Sequence, residues 1–147
     1  MEEVKAFYRL ANEYCILITR KITIESIPEL MEYLMKLYIS AMNLPEIDPE
    51  TTDSQSLENL ETVSILFDEQ ILTSYWEMFD PFVQEESVCG DLYDDLSGIA
   101  TDLLRGIKEY EAKRIGNAVF EWRFGLNTHW GKHVVDALCA LHAIRTL

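Results

Sequence analysis

The sequence predicts an all-α, single-domain antiparallel bundle of about five to six helices spanning residues 1–147. Three observations carry that expectation. Apolar residues recur at spacings of three and four along most of the chain, the period of one helix face. The prolines and capping residues fall between those periodic stretches rather than inside them. With 147 residues, 48% of them hydrophobic and 11% aromatic, the chain is long and apolar enough to bury roughly 70% of its unfolded surface in one core.

The first helix is expected from Glu3 to Arg20, on the stripe Val4, Phe7, Tyr8, Ala11, Tyr14, Cys15 and Ile18. The second starts at Ser26, where Ser26-Ile27-Pro28-Glu29 has the form of a capping box with proline in the first turn. Pro45, Pro49 and the polar run Thr51-Thr52-Asp53-Ser54 predict a mobile loop over Leu44–Ser56. A third helix is expected from Leu57 to about Phe79, through Leu60, Ser64, Phe67, Ile71 and Tyr75, closed by Asp80-Pro81 because a residue before proline avoids the helical region. A fourth is expected over Asp91–Tyr110 and a fifth over Arg114–Ala143, with an interruption near Gly125 or Gly131. Strand-like alternation is confined to Lys21–Ile24.

Charge divides the chain. The net charge is −14, and residues 37–104 hold sixteen acids with no Lys or Arg, whereas residues 113–147 hold five bases and two acids. Such a surface repels nucleic-acid phosphates and anionic lipid, so neither nucleic acid nor membrane is an expected partner. It admits a divalent metal or a basic protein partner, and otherwise serves as a solvated face. No apolar run is long enough to span a bilayer, and Met1-Glu2-Glu3 does not open a signal peptide, so a cytoplasmic protein is expected. Three cysteines without a C-x-x-C pair argue against a disulfide framework; Cys15 and Cys139 read as small core residues.

The fifth helix carries the chemistry. It is apolar most of the way round and is expected to be the central, most buried helix. All three histidines, His129, His133 and His142, lie on it within fourteen residues. At about 100° per residue, Trp122, Leu126, His129, His133, Asp136, Ala137 and Ala140 share one side. His129 and His133 are one turn apart, so both imidazoles can reach one metal, with Asp136 as a third ligand or an acceptor for a ring N–H. On the fourth helix, Asp91, Asp95, Asp102 and Glu109 fall within about 40° of one another, with Asp94 at the next edge. Packing of the two helices would set these acids against the histidines. The competing reading is a structural Asp–His–Trp network without metal, since buried imidazoles and indoles seek acceptors.

Named catalytic motifs are largely absent. His129-Trp130-Gly131-Lys132-His133 has the histidine spacing of a zinc-protease helix, but Trp130 stands where the catalytic Glu is needed. No Glu-x-x-His of the di-iron bundles occurs. Glu58-x-x-Glu61 and Glu77-x-x-Asp80 are similar to the paired acids of the all-α nucleotide pyrophosphohydrolases, whose acids on facing helices hold magnesium; Leu57 stands where that motif begins with Glu.

Three stretches resemble an uncharacterised bacterial helical family known only as a domain of unknown function: Tyr75-Trp76-Glu77 with Asp80-Pro81; Asp94-Asp95-Leu96 with Asp102-Leu103; and Glu121-Trp122-Arg123-Phe124 running to His129-Trp130-Gly131, His133, Asp136-Ala137-Leu138 and Leu141-His142. The resemblance spans residues 75–142 and implies a helical domain without a known activity or cofactor. The chain departs from the pattern at Gly98, where an acid is usual, and at Thr101, where a base is usual. The site expected from all of this is a ligand-binding or structural polar network of Asp94, Asp95, Asp102, Trp122, Arg123, Trp130 and His142, with His129, His133 and Asp136 as metal ligands. The function expected is a non-catalytic domain that binds a protein partner or small ligand; the alternative is a metal-dependent phosphohydrolase.

Overall fold

The computed structural model of the chain describes residues 2–50 and 63–146. Five α-helices occur among them: α1 (Glu2–Leu17), α2 (Ile27–Met42), α3 (Leu92–Glu111), α4 (Ile115–Thr128) and α5 (Trp130–Thr146). A two-stranded antiparallel sheet, β1 (Ser74–Glu77) and β2 (Val88–Asp91), precedes α3. The molecule is mostly helical, as expected, and the small two-stranded sheet is an addition to the all-α expectation. Among the described residues no helix is long and apolar enough to cross a membrane.

Helix α1 packs on α2 and α3, and α4 and α5 each pack on both α2 and α3. The most buried helix is therefore not the C-terminal one, as expected, but α3: Leu92, Leu96, Ile99, Ala100 and Leu103 are all fully enclosed. Asp91 caps it, its carboxylate accepting the Tyr93 N–H at 2.7 Å. The indole of Trp122 donates to the Leu103 carbonyl at 3.1 Å, and that of Trp130 to the Trp122 carbonyl at 2.9 Å. Both tryptophans are thus satisfied by backbone, and this removes them from the expected Asp–His–Trp network.

Three local expectations are corrected. The capping box lies at Thr23, not Ser26. Thr23 and Ser26 exchange side-chain and backbone bonds around a 3-10 turn over Ile24–Ser26, and Ser26 makes no cap bond to α2. The third helix is absent from residues 63–79; its start, with Leu57, Glu58, Leu60 and Glu61, lies outside the described residues. This stretch is rich in β-branched and aromatic side chains and alternates instead. Ile71, Thr73, Tyr75 and Glu77 turn inward while Leu72, Ser74 and Trp76 face out. Ile22 adds a parallel bridge to Phe67. Finally, Cys139 is exposed rather than in the core; Cys15 is largely enclosed, and burial pushes its thiol up to about 12.

The segment after α2 is fastened to α4. Arg123 donates to the Leu44 carbonyl at 2.6 Å and to Glu46 at 3.2 Å, and Asn117 accepts the Glu50 N–H at 2.8 Å. Arg123 therefore braces the outside of α4. Residues 51–56 of the loop expected there lie outside the described residues.

Candidate functional site

The expected fifth helix is broken once, at His129. Its backbone leaves the helical region (φ −149°, ψ −78°), ending α4 and starting α5 at the next residue. The break falls between Gly125 and Gly131, where an interruption was expected. It sets His129 at the end of α4 and His133 in the first turn of α5, both above α3.

Each imidazole meets one aspartate of α3. His129 Nδ1 lies 2.6 Å from Asp102 Oδ2, and His133 Nδ1 lies 2.7 Å from Asp95 Oδ1. The aspartates are seven residues apart, two helical turns, so they project from the same edge. Asp95 is further held by the Tyr75 hydroxyl, which donates to its second carboxylate oxygen. Burial, then the bond to Asp95, pushes the Tyr75 hydroxyl well above the usual phenol range, so it stays a donor. Tyr75 reaches Asp95 because Gly90 pairs with it across the sheet. A Cβ at Gly90 would stand 2.5 Å from the Tyr75 ring.

The other ring nitrogens converge: His129 Nε2 and His133 Nε2 are 3.3 Å apart, with the rings edge to face. A carboxylate accepts only, so each Nδ1 carries its proton toward an aspartate and each neutral ring keeps its lone pair on Nε2. Two lone pairs facing each other at this distance repel unless an electrophile lies between them. The pair is reachable from solvent: the His129 side chain is 55% exposed and that of His133 27%. The bond to Asp95, opposed by partial burial, raises the His133 pKa above the usual imidazole value.

The two rings stand at the wall of a pocket of about 540 Å³, which is also lined by Asp94, Thr101, Arg105, Glu121 and Phe124. Gly98 faces the pair directly. A Cβ there would lie 3.4 Å from His133 Cδ2 and 3.8 Å from His129 Cε1, ordinary contact distances. Arg105 Nη1 is 3.8 Å from Asp102 Oδ1, and its buried Nε has no hydrogen-bond partner among the described residues. Burial raises the Glu121 carboxyl pKa, partly offset by Arg105.

Not every expected residue joins this site. Asp136 turns away, its carboxylate holding Lys132 Nζ at 3.0 and 3.2 Å and facing Glu77. One turn of α5 beyond His133 carries it toward β1 rather than toward the pair. His142 is exposed and does not line the pocket, Trp122 and Trp130 are sealed in the core, and Arg123 lies on the far face of α4. Glu77 is in a strand and Asp80 in the turn after it, so the helix that would face α3 with these acids is missing. Among the described residues, no group of three or more His, Cys, Asp or Glu side chains is placed to hold a metal. Tyr75, Arg105 and Glu121 were not among the residues expected at a site. Tyr75 and Glu121 stand in stretches that carry the family resemblance, which was their one signal; the place of Arg105 follows only from how α3 and α4 pack.

Comparison with known proteins places the whole chain in one family. The domain of unknown function DUF5063 matches residues 1–146, and the chain belongs to it. No curated protein and no solved structure gives a significant match.

Proposed function

We propose that this member of the DUF5063 family binds a divalent transition-metal ion between His129 and His133, and through the ion's open positions a small ligand in the adjoining pocket. One observation carries the reading: two Nε2 lone pairs 3.3 Å apart, with both Nδ1 atoms engaged by aspartates. Two nitrogens at about 2.0–2.1 Å from a tetrahedral zinc-like ion stand roughly 3.3–3.4 Å apart. Carboxylates on Nδ1 are also the usual outer support of histidine ligands, fixing tautomer and ring direction. Borderline divalent ions of the zinc and cobalt kind suit imidazole better than hard magnesium does. With two protein ligands the ion keeps at least two positions for water or ligand, and its affinity is modest. That favours a binding role over a complete hydrolytic centre.

A second reading has its own support. The raised His133 pKa and the lack of a third ligand among the described residues favour a proton shared between the rings, an imidazole–imidazolium pair. Cobalt titration of untagged protein separates the two. Saturable visible absorption of a four-coordinate Co²⁺ site, lost in His129→Ala and in His133→Ala, is the expected result. Absence of any saturable spectrum up to millimolar cobalt would leave the shared proton and overturn the metal.

A further inference from the structure

On the opposite face of α5, the hairpin of β1 and β2 presents apolar side chains to solvent. Trp76 is 74% exposed, Phe79 67% and Phe82 95%, with Met78 and Val83 exposed in the same segment. Large apolar side chains exposed together in one short segment point to an interaction site. It borders a groove of about 860 Å³ between the hairpin, α2 and α5, walled by Tyr38, Trp76, Phe79 and Val135. The groove is also acidic. Glu77 and Asp136 face each other within it, and Asp80 stands at its rim. One Glu77 oxygen is buried with no donor among the described residues. The hairpin connection adds Glu85 and Glu86, and no Lys or Arg occurs anywhere between residues 37 and 104.

The chain itself displays what this groove accepts. The Lys132 ammonium lies 5.7 Å over the Phe79 ring and 3.0 Å from Asp136, a cation held between an aromatic face and a carboxylate. One lysine leaves the three acids Glu77, Asp80 and Asp136 in excess. We propose that this groove docks a segment of another protein in which Lys or Arg side chains alternate with apolar ones. The apolar side chains cover Trp76, Phe79 and Phe82, and a cationic head enters the groove toward Glu77 and Asp136. Charge complementarity selects that occupant. A second copy meeting this face about a two-fold axis would set acidic hairpin against acidic hairpin. The proposal does not depend on whether the histidine pair holds a metal.

Random peptides displayed on phage are the probe, depleted first on a Trp76→Ser/Phe79→Ser variant whose unchanged circular dichroism and melting show that it folds. Enrichment on the wild-type chain of peptides with Lys or Arg beside Leu, Phe or Trp is expected. Trp122 and Trp130 are sealed in the core, so a synthetic copy of a winner that contains no Trp shifts the fluorescence of Trp76 alone. Glu77→Gln with Asp80→Asn should weaken that peptide at least tenfold. Glu2→Gln with Glu3→Gln, exposed acids on α1, should leave it unchanged. No enrichment, enrichment of acidic peptides, or equal weakening by the α1 changes would overturn the proposal. So would a dimer in sedimentation that Phe82→Ser dissolves, because a second copy would then cover the face.

Discussion

Asp95, Asp102 and Glu109 stand at seven-residue intervals along one edge of α3, and all three are buried. Their partners differ. Glu109 is closed by Arg114, an ion pair at 2.5 Å, and by the Asn117 amide at 3.2 Å. Lys113, at φ 63°, makes the left-handed turn that brings Arg114 back onto it. Asp95 and Asp102 are met instead by imidazoles, each with a second nitrogen left over. An acid paired with a guanidinium is finished, because the guanidinium presents only donors and never loses its charge. An acid paired with a histidine passes its influence on to Nε2. The same edge of one helix is therefore a clamp at its C-terminal end and the candidate site toward its N-terminal end.

The strongest way to break this contrast is Glu109→Ala. It removes the carboxylate that Arg114 and the Asn117 amide both bond. A clear loss of stability, larger than that of the other substitutions, is expected in urea denaturation, because the buried end of α3 loses its hydrogen-bonded acid while Arg114 can rehydrate. Cobalt binding, corrected for unfolded protein, should not move. Asp102→Asn tests the other end. The amide oxygen can still accept from His129 Nδ1, but the charge behind the ring is gone, so metal affinity should fall about 10–100-fold with the fold intact. Equal responses of stability and metal binding in both variants would erase the distinction.

Gly98→Asp sharpens it. A side chain there starts at contact distance from both rings, so the carboxylate can complete a third ligand. Tightening of cobalt binding by about tenfold or more is expected, read by competition with a chelator. Unchanged or weaker binding would mean that the rings do not converge on an ion.

Glu77 is the remaining case, an acid that meets another acid. Burial first, then the Asp136 carboxyl, raises its pKa above the ordinary 4.5. The folded chain therefore binds this proton more tightly than the unfolded chain does. Ionising Glu77 costs stability above its raised pKa, and the cost is relieved as pH falls through that value toward 4.5. Glu77→Gln should thus raise the melting temperature at neutral pH, by an amount that shrinks on acidification. A gain that is constant with pH would show that the Glu77 proton is not the cause.

The meeting of α3 with the histidines was legible because both partners lie on long periodic helices. Asp95 and Asp102 on one edge, and His129 and His133 one turn apart, project predictably wherever those helices touch. Asp136 did not follow, since the break at His129 changes what its side of α5 faces. The hairpin escaped because Ile71 and Tyr75, four apart, fit a helical stripe and an alternating strand equally well; the turn acids and β-branched neighbours decided for the strand. Gly98 drew notice only as an expected departure from the family resemblance, and it is the packing of α3 under both rings that sets it against the pair.

Tyr75 belongs to both faces of the molecule. Its ring lines the groove beside Trp76 and Glu77, while its hydroxyl ends on the carboxylate that steers His133. A guest that shifts this ring also shifts one of the two groups holding Asp95. Were both proposed sites filled, their occupancies would be linked quantities, and linkage runs equally in both directions. A filled metal position would alter the grip of the groove by the same factor by which a docked segment alters the grip on the metal, with one phenol as the mechanical link.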